Sequence, residues 1–217
     1  MYKVNDIFLS PKGEGVHIGV PMNFVRLAYC NLACTHCDTT FNSPVMPMSV
    51  EDILGQLHPQ CSAVVITGGE PTMQDLSELI TVLHEAGYRV HLESNGTLSF
   101  PTHRFDWICI SPKIMEGAEP LPENISAAHE IKMPVRTQAD IDEAERFRSK
   151  YPDVSAVWYL HPWNSAFEQF VHGKQLSAGA RNMEGYSADA NKLCVDHALK
   201  TGRWRISIQL HKVLGVK

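Results

Sequence analysis

Three cysteines, Cys30, Cys34 and Cys37, fall close together in a 217-residue chain, in the stretch Leu27-Ala-Tyr-Cys-Asn-Leu-Ala-Cys-Thr-His-Cys-Asp-Thr-Thr40. Three thiols so near one another do not easily all enter a hydrophobic core, and the spacing C-x3-C-x2-C reads as a metal site. A closed structural zinc site takes four ligands, usually two short Cys pairs far apart. No second pair follows here, and His36 is adjacent to Cys37, a poor arrangement for chelating one tetrahedral ion. A four-iron cluster takes one thiolate per iron, so three cysteines leave one iron open to a substrate or cofactor. The alternative from another class is a zinc-binding interaction protein with no chemistry. Cys61, Cys109 and Cys194 stand at unrelated spacings in apolar surroundings and read as buried small hydrophobes.

The elements that must position this loop follow from periodicity. A short strand from Asp6 runs into Ser10-Pro-Lys-Gly-Glu-Gly15, where two glycines flank Glu14 and let backbone come close to a neighbour. Asn23–Ala28 reads as a buried strand that delivers the chain to Cys30 and carries Arg26, a cation that needs a partner there. Ser49 has the form of a helix cap, with Ile53, Leu54 and Leu57 following at helical spacing. The run Ser62–Thr67 is apolar throughout, as in strands buried on both faces. It ends in Gly68-Gly-Glu-Pro71, and Leu76, Leu79, Ile80 and Leu83 mark a helix that stops near Gly87. Strands Arg89–Glu93 and Asp106–Ile110 end in Ser94-Asn-Gly-Thr97 and Ser111-Pro-Lys113. The stretch Ala128–Met133 precedes a helix from about Gln138 to Lys150, and strand Ser155–Leu160 ends in His161-Pro-Trp-Asn164. Gly173 to Ser187 reads as a mobile loop. A helix near Ala190–Lys200 and a last strand, Trp204–Leu210, complete the chain.

Strand, polar loop, helix, strand is the repeated unit, and it predicts a parallel α/β sheet with right-handed crossovers. Ligands of such sheets sit at the carboxyl ends of the strands, where the polar strings would converge. About six strands are too few for a closed eight-stranded barrel, so a curved, partly open barrel is expected. Length suits a single domain, residues 1–217. A net charge of -5 argues against a broad nucleic-acid-binding surface. No apolar run is long enough to cross a bilayer and the N-terminus lacks a signal-peptide core, so a cytoplasmic protein is expected, in a compartment that keeps thiols reduced.

Cys30-x3-Cys34-x2-Cys37 after the first buried strand, with Gly68-Gly-Glu-Pro71 after the next, resembles the radical S-adenosylmethionine (SAM) superfamily. A narrower resemblance runs from end to end. Gly13-Glu-Gly15, Phe24-Val-Arg-Leu27, Cys37-Asp-Thr39, Ile66–Pro71, Glu93–Thr97, Ser111-Pro-Lys113 and the tail Trp204–Lys217 are similar to the 7-carboxy-7-deazaguanine synthase family of queuosine and 7-deazapurine biosynthesis. The resemblance implies an abridged radical SAM (β/α) barrel, a lyase with a [4Fe-4S] cluster, SAM and Mg2+, a homodimer, and flavodoxin or ferredoxin as electron donor. It further implies a 5′-deoxyadenosyl radical that takes hydrogen from C6 of 6-carboxy-5,6,7,8-tetrahydropterin, with ring contraction and loss of ammonia. A radical activase of a glycyl-radical enzyme is the enzymatic alternative; Arg26, Thr39 and the His211–Lys217 tail speak against it.

Residue by residue, the same resemblance places Cys30, Cys34 and Cys37 on the cluster and Thr39 on magnesium, which commonly keeps waters and few protein ligands. It places SAM against His36, Cys37, Asp38, Gly69, Glu70, Glu93, Ser111, Pro112, Lys113, His161, Pro162, Trp163 and Asn164. The pterin would meet Pro11, Lys12, Gly13, Glu14, Arg26, Thr67, His211 and the terminal carboxylate of Lys217. Arg26 would face the pterin carboxylate and Glu14 its guanidine-like edge. Three positions depart from the family pattern. Lys12 and His161 each stand where a glutamine is usual, and Ser94 where a threonine is.

Overall fold

A computed structural model describes residues 1–35, 37, 44–163 and 187–216. Among them, strands β1 (Tyr2–Pro11), β2 (Pro21–Leu27), β3 (Met46–Met48), β4 (Ala63–Gly68), β5 (Arg89–Ser94), β6 (Trp107–Ile110), β7 (Glu130–Val135), β8 (Val157–Pro162) and β9 (Arg205–Ile206) form one sheet. The order is β3-β1-β2-β4-β5-β6-β7-β8-β9, so the sheet has two edges and is not closed. From β2 to β9 every pairing is parallel, while β1 runs antiparallel to both β2 and β3. The helices are α1 (Val50–Leu54), α2 (Ser77–Glu85), α3 (Pro122–Ser126), α4 (Gln138–Ser149), α5 (Ala188–Thr201) and α6 (Leu210–Leu214).

Nine strands among the described residues exceed the expected six or so, for a physical reason. β3 and β9 span three and two residues, too short to leave a periodic signal. The expected last strand, Trp204–Leu210, is corrected most. Only Arg205 and Ile206 pair with β8, Ser207 then donates to the Leu160 carbonyl, and the chain turns into α6. The alternation of apolar and polar residues past Ile206 looks like a strand, but the chain leaves β8, which runs on to Pro162, and Leu210 N donates to the Gly13 carbonyl instead.

Each central strand has a helix-facing side and an inward side. Val64 and Ile66, Val90 and Leu92, Ile108 and Ile110, Ile131 and Met133, and Trp158 and Leu160 all belong to the main core, with Leu79, Ile80 and Leu83 of α2 and Ile141, Ala144 and Phe147 of α4. Burying such side chains supplies about 1.5–3 kcal/mol each. Alternate residues face the other way. Met22, Ala63 and Val65 make a small inner cluster. Alternation along the strands puts His91 and Glu93 of β5, Trp107 and Cys109 of β6, and Glu130 and Lys132 of β7 on this inner side. The apolar strand runs are therefore buried on both faces, as expected, but the second face carries charge.

The helix starts obey local chemistry. Ser49 caps α1 through a reciprocal box with Asp52, Ser49 Oγ accepting from Asp52 N at 3.1 Å and Asp52 Oδ2 from Ser49 N at 3.0 Å. Thr137 and Asp140 make the same box at α4. Gly87, at φ +84°, ends the α2 segment. Of the expected mobile loop, only Ser187 lies within the described residues, where it caps α5 by accepting from Ala190 N.

Candidate active site

The carboxyl ends of the parallel strands open onto one cavity of about 330 Å³. Cys30, Cys34 and Cys37 line it on one side, and Pro11, Lys12, Gly13, Glu14, Arg26, Thr67 and His211 line the other. Gly69, Glu93, Ser111, Lys113, His161 and Trp163 also line it. Glu70, Pro112 and Pro162 are not lining residues, while His36, Asp38, Thr39, Asn164 and Lys217 lie outside the described residues.

Local structure explains how the cysteine loop is held. β2 ends at Leu27, and Tyr29 takes the left-handed conformation at φ +73°. Gly69 N donates to the Leu27 carbonyl at 3.2 Å and Glu70 N to the Tyr29 carbonyl at 2.9 Å, so the Gly-Gly turn lies flat against the loop. A side chain at position 69 would sit 2.0 Å from Tyr29 O and 2.9 Å from Cys30 Cβ, which only glycine avoids. Glu70 does not face the cavity. It is fully buried and accepts from Thr72 N and Oγ, from Ser94 Oγ at 2.8 Å and from Asn95 N at 2.7 Å. It thus ties the end of β4 to the end of β5, framing the cavity by backbone rather than by its carboxylate.

None of the three loop cysteines is in a disulfide. Burial lifts the thiols of Cys30 and Cys34 above the ordinary range, and the Lys113 ammonium works in the opposite direction on both. Among the described residues the one trio of His, Cys, Asp or Glu whose ligand atoms gather within 4.8 Å is Glu93, Cys109 and Glu130. Cys30, Cys34 and Cys37 carry the C-x3-C-x2-C spacing, which supplies three thiolates to a four-iron cluster and leaves one iron open. They share the cavity wall with Gly69, Ser111 and Lys113, whose Nζ donates to the Ser111 carbonyl at 3.0 Å and to Ser111 Oγ at 2.5 Å. Soft thiolates beside polar groups and open space fit a [4Fe-4S] cluster with SAM on its free iron.

The opposite wall is charged and buried. Lys132 Nζ lies 2.6 Å from Glu14 Oε2 and 2.9 Å from Glu93 Oε2, and Lys12 Nζ pairs with Glu93 Oε1. The four side chains are between 5% and 18% exposed. Burial alone would raise both carboxyls, but the lysines override it, holding Glu93 at about 2 and Glu14 well below its ordinary value. Lys12, the departure from the family glutamine, is thus already paired with Glu93. Arg26 and Thr67 stand side by side on β2 and β4, and the Arg26 guanidinium also lies 5.6 Å from the Phe8 ring, which stacks on Phe24. His211 of α6 packs on Gly13, and Leu210 N donates to the Gly13 carbonyl at 2.8 Å.

Lys132, Gln209 and Lys212 line the cavity without having been singled out by sequence. Lys132 carried the same signal as Arg26, a cation within an apolar strand. Cys109 is a correction. It is buried, but on the charged inner side, with Glu93, Lys132 and Glu130 as its electrostatic neighbours. Cys194, by contrast, lies in the main core, where burial pushes its thiol up to about 12.

Residues 25–110 match the radical SAM superfamily. The chain is 31% identical over 219 residues to a 7-carboxy-7-deazaguanine synthase of Bacteroides thetaiotaomicron, covering 100% of both proteins. It is 33% identical over 219 residues to one of Neisseria meningitidis, covering 100% of this chain and 94% of that one. The crystal structure of QueE from Escherichia coli superposes with a TM-score of 0.74 at 28% identity, covering 96% of this chain and 93% of that one.

Proposed function

The chain belongs to the 7-carboxy-7-deazaguanine synthase family of radical SAM enzymes, and from that premise we propose that it converts 6-carboxy-5,6,7,8-tetrahydropterin to 7-carboxy-7-deazaguanine. The observation that carries this reading is that one cavity joins three cysteines outside any disulfide to a wall of paired charges suited to a flat, polar heterocycle. When bound, the cluster and SAM supply a 5′-deoxyadenosyl radical that takes hydrogen from C6 of the pterin.

The chain's own residues bind and orient. Cys30, Cys34 and Cys37 would hold the cluster, with Gly69, Ser111 and Lys113 against SAM. The Arg26 guanidinium would take the pterin carboxylate. The Glu14 carboxylate, kept ionised by its lysine, accepts from the N–H groups of the pterin edge. His211 and Gly13 would close the cavity from the C-terminal side. Thr39 remains our proposed magnesium ligand, and we read residues 1–217 as one catalytic domain that works as a homodimer with a flavodoxin or ferredoxin donor. Among the described residues no helix is long and apolar enough to cross a membrane.

Anaerobically reconstituted protein with SAM, magnesium and a strong reductant should form 7-carboxy-7-deazaguanine from the carboxytetrahydropterin. Uncoupled 5′-deoxyadenosine without the deazapurine would overturn the substrate and leave the radical SAM chemistry standing. Omitting magnesium should slow turnover, and Thr39→Ala should lower activity and weaken that magnesium dependence, which tests the Thr39 reading.

A further inference from the structure

Lys132 is not among the residues that the family resemblance carries, yet its ammonium is the centre of the charged wall. It rises from β7 with its side chain 6% exposed and touches one oxygen each of Glu14, from the loop after β1, and Glu93, from the end of β5. Lys12 takes the other oxygen of Glu93. Among the described residues, Glu14 Oε1 is then the one oxygen of these two carboxylates that no lysine holds.

Lys132 is the ammonium that both carboxylates touch, and it is the largest charge keeping Glu14 ionised, with Lys12 adding to both. Without it, like charge and burial together drive one of them to take a proton. A protonated Glu14 would donate a hydrogen bond where an ionised one accepts. The loop is pinned on its far side by the same strand, because Val16 N donates to Glu130 Oε2 at 2.8 Å and Gly15 packs on that carboxylate. Glu93, Cys109 and Glu130 would otherwise offer ligand atoms for a cation, but all three face Lys132, so the cation at this point is the chain's own ammonium.

We infer that Lys132 is a positioning residue for substrate recognition: by holding Glu14 Oε2 it presents Glu14 Oε1 to the cavity as an ionised, oriented acceptor for the ring N–H donors of the substrate. The inference rests on the pterin reading above and goes beyond it by naming the group that sets the acceptor's charge. The charged and titratable neighbours are Cys109 on β6 and Glu130 on β7 facing Lys132, His161 on β8 and Lys12 facing Glu14, and Lys12 with Glu14 facing Glu93.

The test compares wild-type protein and Lys132→Met, both reconstituted with cluster and SAM. The probe is 6-carboxypterin, the stable aromatic counterpart of the substrate, titrated calorimetrically between about pH 5.5 and 7.5, a window that contains the ordinary histidine pKa but no ordinary carboxyl pKa. In parallel, infrared spectra of protein carrying 13C-carboxyl glutamate report any protonated side chain. The wild type should bind the probe and show no protonated glutamate. Lys132→Met should bind it about tenfold more weakly or worse and show one protonated glutamate. Lys132→Ala should regain affinity when methylammonium is added. Unchanged affinity in Lys132→Met would overturn the inference, as would lost affinity with no protonated glutamate and no methylammonium rescue. If the wild type itself does not bind the probe while Lys132→Met gains the protonated glutamate, the pterin reading fails and the charge-setting role stands. Should the Met variant not fold, Lys132→Gln takes its place with the same expected outcomes.

Discussion

Single buried polar groups set much of the frame, and Glu70 and His91 are the clearest. Glu70 is fully buried and satisfies donors from Thr72, Ser94 and Asn95. Glu70→Ala strands these donors and should cost about 3 kcal/mol or more of unfolding free energy, with Glu70→Gln costing about half as much; urea titration measures both. His91 is 3% exposed and lies against His17, with ring centroids 4.8 Å apart. Burial, then the neighbouring cations, lowers its pKa from 6.5 to about 4. Between those values the unfolded chain binds a proton that the folded one refuses, so stability falls as pH drops through that window. The urea midpoint should therefore decline from pH 7 to pH 5, and His91→Phe should remove most of that slope, His17 accounting for the remainder. At this scale the sequence was most legible where residue type and spacing coincide. Cys30, Cys34, Cys37, Glu14, Arg26, Thr67 and His211, singled out from the sequence, all line one cavity. Glu70 shows the limit, because spacing can place a carboxylate near a site but cannot say that its oxygens turn back into the frame.

Elements were legible in proportion to their length. α4 and α5 fall within two residues of their expected ends because a dozen or more residues repeat the pattern, and Ser49 announced α1 by its capping chemistry. The last strand was legible in its start but not in its end, and the turn into α6 was not legible, since it depends on a hydrogen bond from Leu210 to Gly13 near the other end of the chain. That long-range joint has a consequence for binding. A methyl group at Gly13 would lie 1.9 Å from His211 Nδ1, too close for the imidazole to keep its place. Gly13→Ala should displace the His211 ring and raise KM for the pterin about tenfold or more, while KM for SAM, which we propose to bind beside the cysteines, changes little. Steady-state kinetics with each substrate varied in turn separates the two. Equal loss for both would show that His211 serves the whole cavity and not the pterin side alone.

Over the whole molecule, the repeated strand-loop-helix unit predicted a mostly parallel, open sheet, and the structure was needed to reveal the edge strand β3 and to shorten the last strand at the other edge. What no periodicity could show is that the inner face is charged, because the alternation places Glu93, Glu130 and Lys132 inward while their neighbours build the core. The cluster loop lies outside that core. Chelating the iron should therefore bleach the protein and abolish turnover while far-ultraviolet circular dichroism stays native, and a Cys30→Ala/Cys34→Ala/Cys37→Ala variant should fold without iron. Collapse of the dichroism on chelation would mean that the metal, not the sheet, holds the fold. The contact between the Gly-Gly turn and the Tyr29 carbonyl also sets an order of assembly in time. The first cysteine leaves β2 early in synthesis, but its shape is fixed by backbone donors from residues 69 and 70. A nascent chain that has exposed only Cys30, Cys34 and Cys37 thus lacks the backbone donors that shape the start of their loop. The seat for a cluster exists only after β4 has emerged and paired, so maturation must trail translation by at least that much chain.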